Sequence, residues 1–314
     1  MTTEAKLFER GVHPAARRLA ARASARGGHF GIRWDWFLVP AVLISLGLLA
    51  LPQGMFILLS FHADLGLGQV SLAFTIDNYV RVLTDPFYGH AFWLTLYLSV
   101  AAAGIGLLVG FPAAYALARI GGWIASSLIS LILTTSLVTV VVKLMGLNLI
   151  LEPTGMINRA LLALHLVRNP VQMLNDQTGV LIGLVQYTLP MTIVLLFGVV
   201  QTIPVSLEEA AATLGASNAT IYRKIILPNS RAGLIATGLI AFNMSMGAFT
   251  SAVLLGGGRV LTMPVLIQQT IIQNTDYAKG AALSTVLVAF VFLINLSIGA
   301  VFAARGRKAA PDAG

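Results

Sequence analysis

Six stretches of this sequence are each apolar over twenty or so residues, about the length of helix needed to cross a bilayer core. They run Trp36–Phe61, Ala91–Leu117, Trp123–Asn148, Thr178–Thr202, Arg231–Leu255 and Gly280–Ala304. In lipid a backbone must satisfy its own hydrogen bonds, so each stretch is expected to be helical. Charged residues are only 10% of the chain, against ~25% in soluble domains, too few to clothe a water-soluble core. An ordinary soluble enzyme, a disordered chain and a coiled coil are thereby excluded. The expected fold class is an all-α membrane protein with six transmembrane helices. The expected organisation is a basic tail (1–35), a first span (36–61), a core of five spans (91–304) containing a loop at 203–230, and a second tail (305–314).

The net charge of +8 serves to orient the chain. Lys6, Arg10, Arg17, Arg18, Arg22, Arg26 and Arg33 precede the first span, and Arg119 follows the second. Arg223, Lys224 and Arg231 border the fifth, and Arg305, Arg307 and Lys308 follow the last. Only Arg81, Arg159, Arg168, Arg259 and Lys279 fall on the other side. This asymmetry places both termini in the cytoplasm. No basic run is interleaved with aromatics, so nucleic acid is not an expected partner. Residues Glu4–Arg26 read as a retained basic arm, because the first span is far longer than the apolar core of a cleaved signal. Pro52 is expected to kink the first span. Ala102, Gly106 and Gly110 recur every fourth residue, a spacing that lets a neighbouring helix approach closely.

The loop between the fourth and fifth spans is longer than a turn requires. Ser206 and Glu209 have the spacing of a capping box. Leu207, Ala210, Ala211 and Leu214 form one apolar stripe at helical period. Gly215 stands where a left-handed cap ends a helix. Ser217 can cap a second short helix, which Pro228 is expected to stop. Glu208 and Glu209 sit where the positive end of the helix dipole favours acids. The expected object is a stiff apolar knob with an acidic rim, shaped for a groove on another protein.

Glu209, Ala210, Ala211, Gly215, Ile225, Leu227 and Pro228 spell E-A-A-x3-G-x9-I-x-L-P. The chain therefore resembles the permease subunits of binding-protein-dependent ABC importers. Phe74–Tyr88, the Leu254–Gly258 run LLGGG and Leu261–Gln268 look like the spermidine/putrescine-type branch, which also includes permeases for other small organic solutes. The resemblance implies the type I importer permease fold in a bacterial inner membrane. It implies a second permease subunit, identical or homologous, two ATP-binding subunits and a periplasmic solute-binding protein. Ser206, Leu207, Glu208, Glu209, Ala210, Ala211, Leu214, Gly215, Ile225, Leu227 and Pro228 would form the ATPase-coupling element. This chain carries no G-x4-G-K-[ST] loop, so it is expected to be non-catalytic and to bind no cofactor, with ATP–Mg held by the ATPase subunits.

Polar side chains inside spans are candidate pathway residues: Lys143, Gln186, Tyr187, Asn243, Ser245 and Thr250. Lys143 can instead snorkel outward or join an ion pair. Asn243 and Ser245 can instead bond between helices, and Asn295 is expected to be such a contact. Pro190 is expected to open the fourth span near Gln186 and Tyr187. No span holds a carboxylate at its centre, so a polyamine, an opine, an aminophosphonate or a similar zwitterionic or anionic solute all stay open. The alternative function is an ion-gradient-driven secondary transporter. It would call for an inverted repeat and mid-membrane acids, and neither is visible. His13, His29, His62, His90 and His165 are scattered, so no metal site is expected.

Overall fold

The computed structural model describes residues 35–66 and 68–308. The basic arm at Glu4–Arg26 and the last six residues lie outside the described residues. Helix α1 (Asp35–Ser60) stays helical through both Pro40 and Pro52. The compact body begins within it, at Phe56, and the chain up to Met55 forms a unit of its own.

A short antiparallel hairpin, β1 (His62–Gly66) and β2 (Gln69–Phe74), follows α1. This is the one departure from an all-α fold among the described residues. Gly66 and Gly68 flank its turn with φ of 85° and 79°, a conformation glycine adopts without a Cβ penalty. Helix α2 (Asp77–Thr84) secures the hairpin: the Asn78 side-chain amide donates to the Ser60 and His62 carbonyls at 3.0 and 2.8 Å.

The body is built on α3 (Pro86–Ile120) and α7 (Gln177–Gln201). They run parallel in a register that their small residues set. A Cβ on Gly106 would lie 3.8 Å from the hydroxyls of Thr188 and Thr192, and one on Gly110 would lie 3.1 Å from the Thr192 methyl. The four-residue repeat of Ala102, Gly106 and Gly110 therefore packs within the chain. In lipid, close van der Waals approach replaces the hydrophobic effect as the force holding helices together. At the hairpin end, Leu94, Leu98 and Ala102 interleave with Val180 and Leu184. At the other end, Phe111, Ala114 and Leu117 meet Leu196, Val200 and Ile203.

The third and fifth spans are not single helices. The third is α4 (Gly122–Leu137) and α5 (Val140–Leu151), separated where Val138 turns extended at ψ 131°. Three β-branched residues, Val138, Thr139 and Val140, meet there, which weakens helix locally. Helix α6 (Met156–Ala163) follows. Beyond α7 come α8 (Val205–Thr213) and α9 (Asn218–Asn229), the latter containing a π turn at Tyr222–Ile226. The fifth span is α10 (Arg231–Met246), which leaves α9 at 70°, and α11 (Thr250–Gly256). Gly247 ends α10, donating its N–H to the Asn243 carbonyl at 3.3 Å. Helix α12 (Met263–Gln268), a second π turn (Gln269–Gln273) and α13 (Tyr277–Lys308) complete the described residues. Among the described residues five helices are long and apolar enough to cross a membrane, or six if the bent pair α9–α10 counts as one span.

Candidate coupling loop and pathway

The 203–230 loop starts from a buried anchor. Ile203 is in the α3–α7 core, and Pro204 then holds φ −59° and ψ 132°, so α8 begins at Val205. Ser206 consequently falls one residue inside the helix, and no side chain caps the N-terminus. The expected Ser206–Glu209 box does not form, because the fixed φ of Pro204 makes that residue the boundary.

At its other end α8 closes as the sequence requires. Gly215 takes φ 80°, its N–H donates to the Ala212 carbonyl at 2.9 Å, and the Ala216 N–H donates to the Ala211 carbonyl at 3.0 Å. These bonds make a Schellman motif. The Ser217 hydroxyl then accepts from the Thr220 N–H at 3.3 Å, capping α9. Pro228 does not stop α9. The preceding π turn closes by a bond from the Leu227 N–H to the Tyr222 carbonyl, and the helix runs on to Asn229. A π turn shifts the bonding frame by one residue, which absorbs the donor that Pro228 lacks.

Ile221 and Ile226 are buried beside Phe111, Leu196 and Val200 and root the loop in the body. The outward face differs. Leu207 is exposed, Leu214 is 89% exposed, and Glu209, Ala210 and Gly215 are also exposed. Within the apolar stripe Ala211 packs back onto the loop's buried base, whereas Leu207, Ala210 and Leu214 face outward, with Glu209 exposed on their edge.

Glu208 has a different environment from the rim position expected of it. Its Oε1 accepts from Arg119 Nε at 2.6 Å and pairs with Arg119 Nη2 as well, while its Oε2 accepts from the Tyr115 hydroxyl at 2.8 Å. The pair is mostly buried, with Arg119 and Glu208 side chains 19% and 13% exposed. Arg119 Nη2 also reaches the Ile203 carbonyl at 3.4 Å, and its guanidinium lies 5.7 Å from the Tyr115 ring centre. Tyr115 packs edge-on against Tyr222 at 5.4 Å. Burial among these rings raises the Tyr222 phenol above its ordinary pKa, so it stays a neutral packing group. In the sequence alone Arg119 stands out only as an orienting charge. A lone Arg at a helix end whose partner lies eighty-nine positions away leaves no periodic signal.

The candidate pathway residues divide. Tyr187 and Thr250 line a cavity of about 170 Å³ together with Val140, Gly247 and Phe249. It opens where the interruptions of the third and fifth spans converge. Gln186 does not line it, and Pro190 leaves α7 unbroken. Lys143 neither snorkels outward nor meets an acid: its Nζ turns back to the Thr135 carbonyl at 3.4 Å. That carbonyl is one of those left without a helical partner where α4 ends, a position where a cation is favoured. Asn243 is engaged in a reciprocal amide pair with Asn295 at 3.0 and 3.1 Å, tying α10 to α13. Ser245 is buried and bonds the Ala241 carbonyl at 2.9 Å. Asn243 thus makes an interhelical bond, whereas Ser245 bonds within its own helix. At the hairpin end, a second cavity of about 350 Å³ lies among His90, Asp176, Gln177 and Arg259, which sequence reading did not single out. No group of three or more His, Asp or Glu able to hold a metal occurs among the described residues.

Residues 106–309 match the family described as the binding-protein-dependent transport system inner membrane component. The spermidine/putrescine transport system permease PotB of Haemophilus influenzae is 30% identical over 247 residues, covering 78% of this chain and 86% of that protein. Its Escherichia coli counterpart is 30% identical over 246 residues, at 78% and 89% coverage. The molybdenum transport permease ModB of Mycobacterium bovis is 28% identical over 234 residues, at 74% and 87%. Among solved structures, a bacterial ABC transporter that imports alginate aligns with a TM-score of 0.64 at 18% identity, covering 85% of this chain and 96% of that one. The MetNI methionine ABC transporter aligns with a TM-score of 0.53 at 17% identity, covering 70% and 98%.

Proposed function

The chain belongs to the binding-protein-dependent transport system inner membrane components and is a multi-pass permease subunit of an ABC importer; from that premise we propose how it is driven. The 203–230 loop is the coupling element, seated in a cleft of a separate ATPase subunit that binds ATP–Mg. One observation carries this assignment: Leu207, Leu214 and Glu209 are exposed, although α8 is closed by a Schellman motif and the base of the loop is buried. Unpartnered apolar surface on a stiff element marks a docking site. The positive-inside count supports a cytoplasmic position for that face, and the family match supports a bacterial inner membrane.

The assembly has two permease subunits, this chain with an identical or homologous one, two ATPase subunits and a periplasmic solute-binding protein that docks at the hairpin end. Closure of the ATPase dimer moves the coupling loops and switches the pathway from inward- to outward-facing. The transported solute is a small organic molecule. Similarity to the PotB proteins supports a polyamine, while the absence of acids within the spans leaves carboxylates to the second permease subunit. The Tyr187–Thr250 cavity, where two broken spans meet, is the part of this chain offered to the solute. Non-helical backbone at membrane depth is tolerated where it lines such a space.

The test is reconstitution of the chain in liposomes with its co-purifying partners. Uptake should require ATP on the loop side and the binding protein on the hairpin side. Gradient-driven uptake by the chain alone would refute the assignment.

A further inference from the structure

We propose that Arg119, Glu208 and Tyr115 form the joint through which motion of the coupling loop reaches the transmembrane body, so that α8 and the loop end of α3 move as one piece. This deepens the coupling assignment above and rests on it.

The geometry is specific. Arg119 occupies the last turn of α3 and Glu208 the first turn of α8. A helix carries partial negative charge at its C-terminus and partial positive charge at its N-terminus. Each charged side chain therefore complements the end of its own helix, and the ion pair clamps the two ends together. Arg119 Nε and Nη2 both meet Oε1 of the carboxylate, and the Tyr115 hydroxyl donates to Oε2. Charge-assisted hydrogen bonds are the strong ones, and with one oxygen held by Arg119 and the other by Tyr115 the carboxylate is fixed from two sides. Tyr115 extends the clamp to α9 through Tyr222, and Arg119 extends it to the end of α7 through the Ile203 carbonyl. Both short helices of the loop and both central spans thus converge on one mostly dry cluster.

Such a cluster transmits displacement because it has little room to yield. Breaking a largely buried pair on one side leaves an uncompensated charge, which is strongly unfavourable. Glu209, one residue along, is exposed and takes no part in the hydrogen bonds or ion pair of this cluster. The two adjacent acids therefore divide the work: Glu209 is available to the ATPase, whereas Glu208 is spent inside the permease. Without the joint the loop would remain docked and folded, but its displacement would be taken up by bending at Thr202–Val205.

The chain has no cysteine, so the joint can be broken and remade covalently. The double variant Arg119→Cys/Glu208→Cys is assembled with cysteine-free ATPase subunits in liposomes and read as solute imported per ATP hydrolysed. That ratio is expected to fall about tenfold or more, the scale of an ordinary coupling free energy. A short bis-maleimide bridging the two cysteines is expected to restore most of it, and the charge exchange Arg119→Glu/Glu208→Arg is expected to recover more than either single reversal. An undiminished ratio in the unbridged variant, or a bridge that leaves the ratio low, would overturn the proposal. Cross-linking from Leu214→Cys to the ATPase separates this from the parent assignment. Its absence with residues 119 and 208 intact refutes the coupling loop itself. Its loss only in the double variant overturns the joint, since Glu208 would then be needed for docking.

Discussion

Replacing Gly215 tests the rigidity of the coupling loop in isolation from packing. The residue holds φ 80°, and nothing lies within 4 Å of where a Cβ would stand. Gly215→Ala therefore changes backbone preference and nothing else. A left-handed conformation costs an L-residue roughly 1–2 kcal/mol relative to glycine, which multiplies local opening about 5- to 30-fold. The amides of Gly215 and Ala216 close the Schellman motif, so hydrogen exchange in nanodiscs should show both exchanging faster by that factor. Asn, which tolerates this region, should fall between glycine and alanine, and β-branched Val should be worst. The order in uptake per ATP should follow the order in exchange. Equal protection in the glycine and alanine forms would show that the cap does not stiffen the loop, and the reasoning would fail.

Gly233→Leu would drive a side chain into Val199, and thermal unfolding of the detergent-solubilised chain should shift clearly downward, because a packed core does not absorb added volume freely. Asn295→Ala orphans the Asn243 amide and should cost about 0.6–1.7 kcal/mol in reversible unfolding, whereas replacing both by Leu should recover part of the loss. Lys143→Ala should lower stability through the freed end of α4 while leaving the KM for solute unchanged; a large rise in KM would return Lys143 to the pathway. The Asp176 carboxyl is held below its ordinary pKa by the Gln177 N–H, with Thr178 assisting. Its contribution is therefore present above the unfolded carboxylate value of ~3.9 and lost as pH falls through the folded value. Unfolding of Asp176→Asn followed from pH 3 to 7 should show a weaker acid dependence than the parent.

Much of this architecture is written in the sequence because lipid leaves few choices. Apolar runs must become helices, and a four-residue repeat of small side chains must meet a close neighbour, as Gly106 and Gly110 meet Thr188 and Thr192. Local punctuation was legible where one residue has one role, as at Gly215 and Ser217. It misled where two signals competed: Pro204 displaced the boundary that Ser206 and Glu209 suggest, and a π turn carried α9 through Pro228. Side-chain partners far apart in the chain were harder to read. Asn243 and Asn295 could each be expected to bond between helices, but that they bond each other, like the pairing of Arg119 with Glu208, depends on how the helices are brought together. The return of Lys143 to the Thr135 carbonyl, eight residues back, depends on the break between α4 and α5. The interruptions of the third and fifth spans were hidden for a related reason: hydropathy records whether a segment suits lipid, not whether its hydrogen bonds are continuous.

The most direct test places a spin label or fluorophore on Leu214→Cys in the assembled, transporting complex. The account predicts that this tip, open to water in the chain alone, becomes shielded by an ATPase subunit and stays shielded throughout the ATP cycle. A tip that remains freely accessible to aqueous quenchers during turnover would contradict it.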